Sequence, residues 1–130
     1  MIKKIIKSEQ KWKKLLSPFA YQILRRGDTE LPFVNEFNSF YEKGIYVCGA
    51  CHLPVFNSQS KYNSGTGWPS FSKPIRKRNV MLIRHSSNKT EVKCSRCESH
   101  LGHFFDDGPP PTGERYCLNS AALKFKKSKK

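Results

Sequence analysis

Two Cys-x-x-Cys pairs, Cys48/Cys51 and Cys94/Cys97, take up four of the five cysteines in this chain. Two thiolates on one tight turn grip the same ion, because the residues between them point backbone amides at the sulfurs. Two such turns fill a tetrahedral shell, so the expected cofactor is one structural zinc on Cys48, Cys51, Cys94 and Cys97. Forty-two residues lie between Cys51 and Cys94, so the ion would clasp distant parts of a fold rather than make a minimal finger. A redox dithiol at one knuckle is the main alternative, but that use of Cys-x-x-Cys opens a helix in a βαβ setting that is missing here. His52 adjoins Cys51 and, with four sulfurs available, is expected to be a turn residue. The fifth cysteine, Cys117, cannot join a saturated site. It is either inert core or a reactive thiol.

At 130 residues the chain suits one domain around one hydrophobic core. The expectation is a single domain over 1–130, with its core at about 8–125 and Lys-rich tails at either end. Hydrophobic content of 37% is modest, so a metal staple would help hold the fold. The start Met1-Ile2-Lys3-Lys4-Ile5-Ile6-Lys7 has no apolar run of signal length, and no run of about 20 apolar residues is available to span a membrane. A soluble protein with reduced, cytoplasmic thiols is expected, and such thiols favour zinc over disulfides.

A net charge of +14 raises the idea of a nucleic-acid partner. Its distribution argues against a specific one. Six lysines fall within 1–14 and five within 124–130, leaving 13 basic against nine acidic residues, a net of +4, in 15–123. Seventeen of the 24 basic residues are Lys, and few interleave with aromatics as a base-stacking surface requires. Solvated or frayed tails are the plainer reading.

Residues 8–26 read as a helical preface. Trp12, Leu15 and Leu16 form a short apolar stripe, Ser17-Pro18 reads as an N-cap followed by proline at the first helical position, and Gly27 supplies a stop. Beyond Gly27 the chain is short β-prone runs between Gly, Pro, Asn and Ser. These are expected near 45–48, 54–56, 80–84, 90–94, 103–105, 115–118 and 122–125, with a hairpin loop at Ser86-Ser87-Asn88-Lys89. The class is mainly β with N-terminal helices.

If the run 115–118 is a strand, Arg115 and Cys117 share a face, and Asn119 continues it. A guanidinium beside a thiol favours the thiolate. Close before it, Ser99-His100-Leu101-Gly102-His103-Phe104-Phe105-Asp106-Asp107-Gly108 gathers two histidines and two carboxylates, a supply of proton donors and acceptors. A third constellation, Asn63-Ser64-Gly65-Thr66-Gly67-Trp68-Pro69-Ser70-Phe71, sets a large apolar wall in a Gly/Pro loop. A Trp there is either core or pocket lining.

Taken in order, Cys48-x-x-Cys51, Ser64-Gly65-Thr66-Gly67-Trp68-Pro69-Ser70-Phe71, Cys94-x-x-Cys97, His100-Leu101-Gly102-His103 with Asp107-Gly108-Pro109, and Arg115-Tyr116-Cys117-Leu118-Asn119-Ser120 resemble the MsrB family, the peptide-methionine (R)-S-oxide reductases. The resemblance covers roughly residues 8–125. It implies two antiparallel sheets, β-sandwich or barrel-like, with short N-terminal helices and a structural zinc away from the active site. It implies Cys117 as the nucleophile, His100 and His103 as the groups that bind and protonate the sulfoxide oxygen, and Asp106, Arg115 and Asn119 as polar supports. Trp68 is implied as the wall for the substrate methyl group. Oxidised proteins bearing methionine-R-sulfoxide would be the substrates, thioredoxin or another thiol the reductant, and a monomer the working form. Many members carry a resolving cysteine in the middle of Ser-Gly-x-Gly-Trp, where this chain has Thr66. Recycling by an external thiol is the consequence expected. The rival readings are a zinc-ribbon-like nucleic-acid binder, which leaves Cys117, the His pair and the Trp loop unexplained, and a non-catalytic interaction domain.

Overall fold

A computed structural model of the chain describes residues 2–128. Local capping writes its N-terminal helices. Ser8 accepts the Lys11 amide at 3.2 Å and opens α1 (Glu9–Leu15). Ser17 accepts the Ala20 amide at 3.2 Å and opens α2 (Pro18–Arg26), where Pro18 sits in the first turn and sacrifices no helical bond. Trp12, Ile23 and Leu24 point into the core.

The described residues then form nine strands: β1 (Gly44–Cys48), β2 (Pro54–Asn57), β3 (Lys61–Tyr62), β4 (Ser70–Phe71), β5 (Val80–Ser86), β6 (Lys89–Cys94), β7 (His100–Phe105), β8 (Arg115–Leu118) and β9 (Leu123–Lys127). They make a three-stranded sheet in the order β2-β1-β9 and a six-stranded sheet in the order β3-β4-β8-β7-β6-β5, antiparallel throughout. The expected class, two antiparallel sheets with short helices before them, is the one found.

Aromatic rings join the two sheets. Tyr46 of β1 meets Phe71 of β4 with ring centroids 5.1 Å apart, and Phe56 of β2 stacks on Phe71 at 4.7 Å. Phe56 also reaches Tyr116 of β8 at 5.6 Å. Each such pair adds about 0.5–1.5 kcal/mol beyond the area it buries.

Two expectations are amended. The hairpin turn is Ser87-Asn88 alone, because the ladder takes in Ser86 opposite Lys89. The C-terminal lysines up to 127 are not frayed: Leu123 and Phe125 give β9 a core-facing side, and it pairs with β1 along its length. Lys124, Lys126 and Lys127 stay exposed on this edge strand, where their charge discourages pairing with another chain. At the other end the Ile5 amide donates to the Arg96 carbonyl at 2.7 Å, and Ile2 and Ile5 pack on the core. Lys129 and Lys130 lie outside the described residues.

Strand alternation in β8 decides what faces where. Tyr116 and Leu118 are buried in the core, so Arg115 and Cys117 face the other way. The register sets His103 of β7 opposite Cys117 and Gly102 opposite Leu118. A Cβ on Gly102 would lie 2.1 Å from the Cys117 carbonyl oxygen, so the two strands close only over a glycine. Gly102→Ala should destabilise the protein by about 1–3 kcal/mol, read from urea unfolding, since the clash is with backbone that cannot move aside. An unchanged midpoint would contradict this close packing.

Candidate active site

The cavity beside Cys117 has a volume of about 340 Å³. Cys117, Arg115, His103 and Phe105 line it from β7 and β8, and Thr66 and Trp68 from the glycine loop. That loop is pinned by its own side chains. The Gly65 amide donates to Asn63 Oδ1 at 2.9 Å, and Ser64 Oγ lies 2.8 Å from Thr66 Oγ1 and 2.7 Å from Ser70 Oγ. Gly67, at φ 94, passes so close to Pro32 that a Cβ would come within 2.6 Å of the proline Cβ. Trp68 Nε1 donates to the Glu30 carbonyl at 3.0 Å, which sets the ring as a wall of the cavity.

Glu30 is the hidden fixture of this site. It is 5% exposed, and its carboxylate accepts the amides of Ser120 and, at 2.9 Å, Ala121, capping the turn that follows β8. Its own amide donates to Asn119 Oδ1 at 3.1 Å. Burial pushes the Glu30 carboxyl above its ordinary value, against the pull of those amides. One residue thus ties Trp68, Asn119 and the end of β8 together.

The electrostatics of Cys117 differ from the expectation. Burial raises the thiol above its ordinary range, and the lowering by Thr66, Arg115 and Ser70 does not overcome it. Arg115 acts as foreseen but is shared: its Nε and Nη2 donate to Asp107 at 2.8 and 3.2 Å, and its guanidinium lies 4.1 Å from the Phe105 ring centroid. Burial holds His103 below the usual imidazole value, so the ring is neutral at pH 7.

The sequence-derived residues divide in three. Cys117, His103, Trp68, Arg115 and Asn119 all line the cavity. Asn119 is 3% exposed and already committed, its Nδ2 donating to the Leu101 carbonyl at 3.3 Å. His100 is buried outside the cavity lining, its Nδ1 2.7 Å from Glu91 Oε2. Asp106 is exposed and outside the lining; its neighbour Asp107 holds Arg115. Sequence reasoning did not single out Glu30, Glu91 or Phe105. Period-two alternation from His103 was the available signal for Phe105. Glu30 sits 90 residues from the amide it accepts and gave none.

Cys48, Cys51, Cys94 and Cys97 place their sulfurs within 4.8 Å of one another. Cys48 Sγ lies 3.6 Å from Cys97 Sγ, and Cys51 Sγ lies 3.5 Å from Cys94 Sγ. These separations are too long for disulfides at about 2.05 Å, and near the edge of about 3.8 Å of a sulfur tetrahedron with metal–sulfur bonds of about 2.3 Å. The two knuckles share one turn. His52 and Glu98, each four residues after the first cysteine, have φ of 67 and 61 and return their amides to the carbonyls of Cys48 and Cys94, each at 2.9 Å. The Arg96 amide points at Cys94 Sγ at 3.4 Å. The set can hold a metal ion, and none of its cysteines lines the cavity. His52 contributes only the turn, its Nε2 facing Lys124 Nζ at 3.4 Å.

Fold and site together define a two-sheet β protein with a four-cysteine clasp and a separate pocket built around a single thiol. The family model described as SelR domain matches residues 16–127, and the chain belongs to this family, that of the MsrB proteins. It is 51% identical over 127 residues to the peptide methionine sulfoxide reductase MsrB of Methanosarcina barkeri, covering 95% of this chain and 89% of that one. The MsrB of Hahella chejuensis is 47% identical over 94% of this chain and 90% of its own length, and that of Leptospira interrogans 50% over 93% and 95%.

Alkylation of Cys117 by iodoacetamide should rise with pH through a midpoint above the ordinary thiol value, because burial disfavours the thiolate. Arg115→Met should move that midpoint further up, since it removes a charge that lowers it. A midpoint below 8 in the parent would contradict the burial effect.

Proposed function

We propose that this chain reduces the R epimer of methionine sulfoxide in oxidised proteins, with Cys117 as nucleophile. The observation that carries the reading is Cys117 on the outer face of β8, opposite His103 and facing a cavity walled by Trp68 and Phe105. The Cys117 sulfur attacks the sulfoxide sulfur while the oxygen takes a proton; the hydroxyl then passes to the Cys117 sulfur as the substrate's S–O bond and the transient S–S bond both break, and methionine leaves. Cys117 keeps the oxygen as a sulfenic acid, oxidised by two electrons as the substrate sulfur is reduced by two. The proton lost by the thiol equals the one gained by the oxygen, so a thiol that burial keeps protonated at rest is no obstacle. His103, neutral and paired across the strands, is placed to carry it. Its neighbour His100, from behind the cavity, supports it. Arg115 and Asn119 orient the oxygen and the substrate backbone, and the exposed Asp106 guides approach. Trp68 receives the methyl group. A chiral sulfoxide offers methyl, chain and oxygen to a rigid wall, an open mouth and a donor, and this selects one epimer.

Thr66 stands where many members of the resembled family carry a second cysteine, and among the described residues no other sulfur lines the cavity. The sulfenic acid therefore condenses with an external thiol, thioredoxin or a smaller one, losing water. A second external thiol then releases Cys117 and leaves as the disulfide. The four clustered cysteines hold one zinc ion, which fits their donor set and stiffens the fold; as a single domain the chain works as a monomer in the reducing cytoplasm. None of its described helices is long and apolar enough to cross a membrane. The nucleic-acid and non-catalytic readings are not favoured, since neither uses the cavity.

Turnover of dabsyl-methionine-R-sulfoxide should fall to background in Cys117→Ser, with the S epimer left unused by both; activity on the S epimer alone would sink the reading. A single turnover without reductant should leave a dimedone-reactive Cys117 with zinc retained. An internal disulfide seen by mass spectrometry would overturn the recycling scheme.

A further inference from the structure

Glu91 is the midpoint of a polar chain that crosses three strands. Its Oε1 lies 2.8 Å from Nε2 of His85 on β5, and its Oε2 lies 2.7 Å from Nδ1 of His100 on β7. One end of the chain is wet, since the His85 side chain is 47% exposed. The other is dry. His100 Nε2 is buried without a hydrogen-bond partner, and its ring stands edge-on to His103 with centroids 5.3 Å apart. His103 in turn lines the cavity opposite Cys117.

A carboxylate accepts hydrogen bonds and donates none, so the ring nitrogen facing Glu91 carries a proton. In a neutral His100 the proton is then on Nδ1, and Nε2 is a bare acceptor beside His103. Burial disfavours the Glu91 charge, yet the bonds from His85 and His100 outweigh it and hold the carboxyl below its ordinary value. Glu91 also opposes the burial that lowers His103. Other charged groups around this pair are Lys89 and Lys93 of β6, Arg25 and Arg26 of α2, and Glu98. Arg25 is turned away to Glu9 and the Cys97 carbonyl. Glu91 is the carboxylate bonded to His100.

We propose that Glu91 is a positioning residue for the proton chemistry of the cavity: it fixes the His100 proton on Nδ1, so that Nε2 orients His103 and steadies the imidazolium that forms when His103 takes the thiol proton. The proposal rests on the sulfoxide-reductase reading for its catalytic half and on this geometry alone for its tautomer half. It uses the logic of a carboxylate-oriented histidine, with one more ring in the chain. Neither Glu91 nor His85 lines the cavity, so both act through their neighbours.

The tautomer is read first, in the parent protein, by 15N-resolved NMR of the imidazoles. His100, assigned by loss of its signal in His100→Asn, should be protonated on Nδ1 when neutral. A proton on Nε2 overturns the proposal whatever the activity. Kinetics then test the catalytic half. In Glu91→Gln the carboxylate charge is lost, the His103 imidazolium is less favoured, and the alkaline limb of kcat should move about one unit to lower pH. At pH 8 kcat should fall by up to about 10-fold with KM within about twofold, and Glu91→Asp should recover part of it. Parental zinc content and Tm in both variants exclude a general loss of structure. An active parent with an unmoved profile in Glu91→Gln defeats this inference alone, whereas a parent inactive on both epimers defeats the reductase reading.

Discussion

Four sulfurs gathered within 4.8 Å of one another join strands of different sheets, and the remaining structure depends on that junction. Cys48 ends β1, in the middle of the three-stranded sheet, and Cys94 ends β6 in the six-stranded one. Aromatic packing sets how the rings between the sheets meet, but it joins the sheets only at their centre. Four cysteines at two strand ends, drawn onto one metal ion, would fix a second point. Such a clasp also explains why both knuckles carry a non-glycine residue at positive φ, a cost of order 1–3 kcal/mol each that only an over-determined site sustains. Arg25 of helix α2 adds a side-chain link to the same corner, its guanidinium donating to the Cys97 carbonyl at 2.8 Å and Ser99 Oγ at 3.1 Å.

With the sheets fixed, the alternation of one strand divides structural from chemical residues. Tyr116 and Leu118 belong to the core, Arg115 and Cys117 to the cavity, and no side chain of β8 is free to change sides without turning the strand over. Gly102 lets β7 approach closely enough to bring His103 opposite the thiol. Cys117, His103, Phe105 and Arg115 are therefore mounted on paired strands, while Thr29 and Asn119 come from segments outside the strands and Trp68 and Thr66 from the glycine loop. That loop is itself anchored by short hydroxyl and amide bonds and by the Trp68 bond to Glu30.

What was legible in the sequence was local or periodic. Ser8, Ser17, Pro18 and Gly27 write the helices in adjacent residues, and the cysteine spacing writes the clasp. Alternation placed Arg115 and Cys117 together. It runs only to Leu118, where β8 ends; Asn119 still lines the cavity, with its side chain bonded to the Glu30 amide and the Leu101 carbonyl. Strands β3 and β4 have two residues each, too short to leave a period, and they went unseen although they bracket the glycine loop. Glu30 was invisible for another reason: its partners are set by tertiary folding alone.

The same long-range effects reverse the simplest reading of the thiol. A neighbouring arginine suggests a thiolate when only sequence neighbours are considered. In the fold, Asp107 shares that arginine, and the walls that shape the cavity also remove the water that would stabilise a charged sulfur. On the proposed mechanism, a half-buried thiol that keeps its proton until a sulfoxide arrives is protected from indiscriminate oxidation, since the thiolate is the reactive form. Its proton is then available for the oxygen that must be protonated. Burial, which lowers reactivity at rest, would in that mechanism couple deprotonation of Cys117 to the presence of an acceptor. In the same proposal the histidines behind it give that proton a defined place to go.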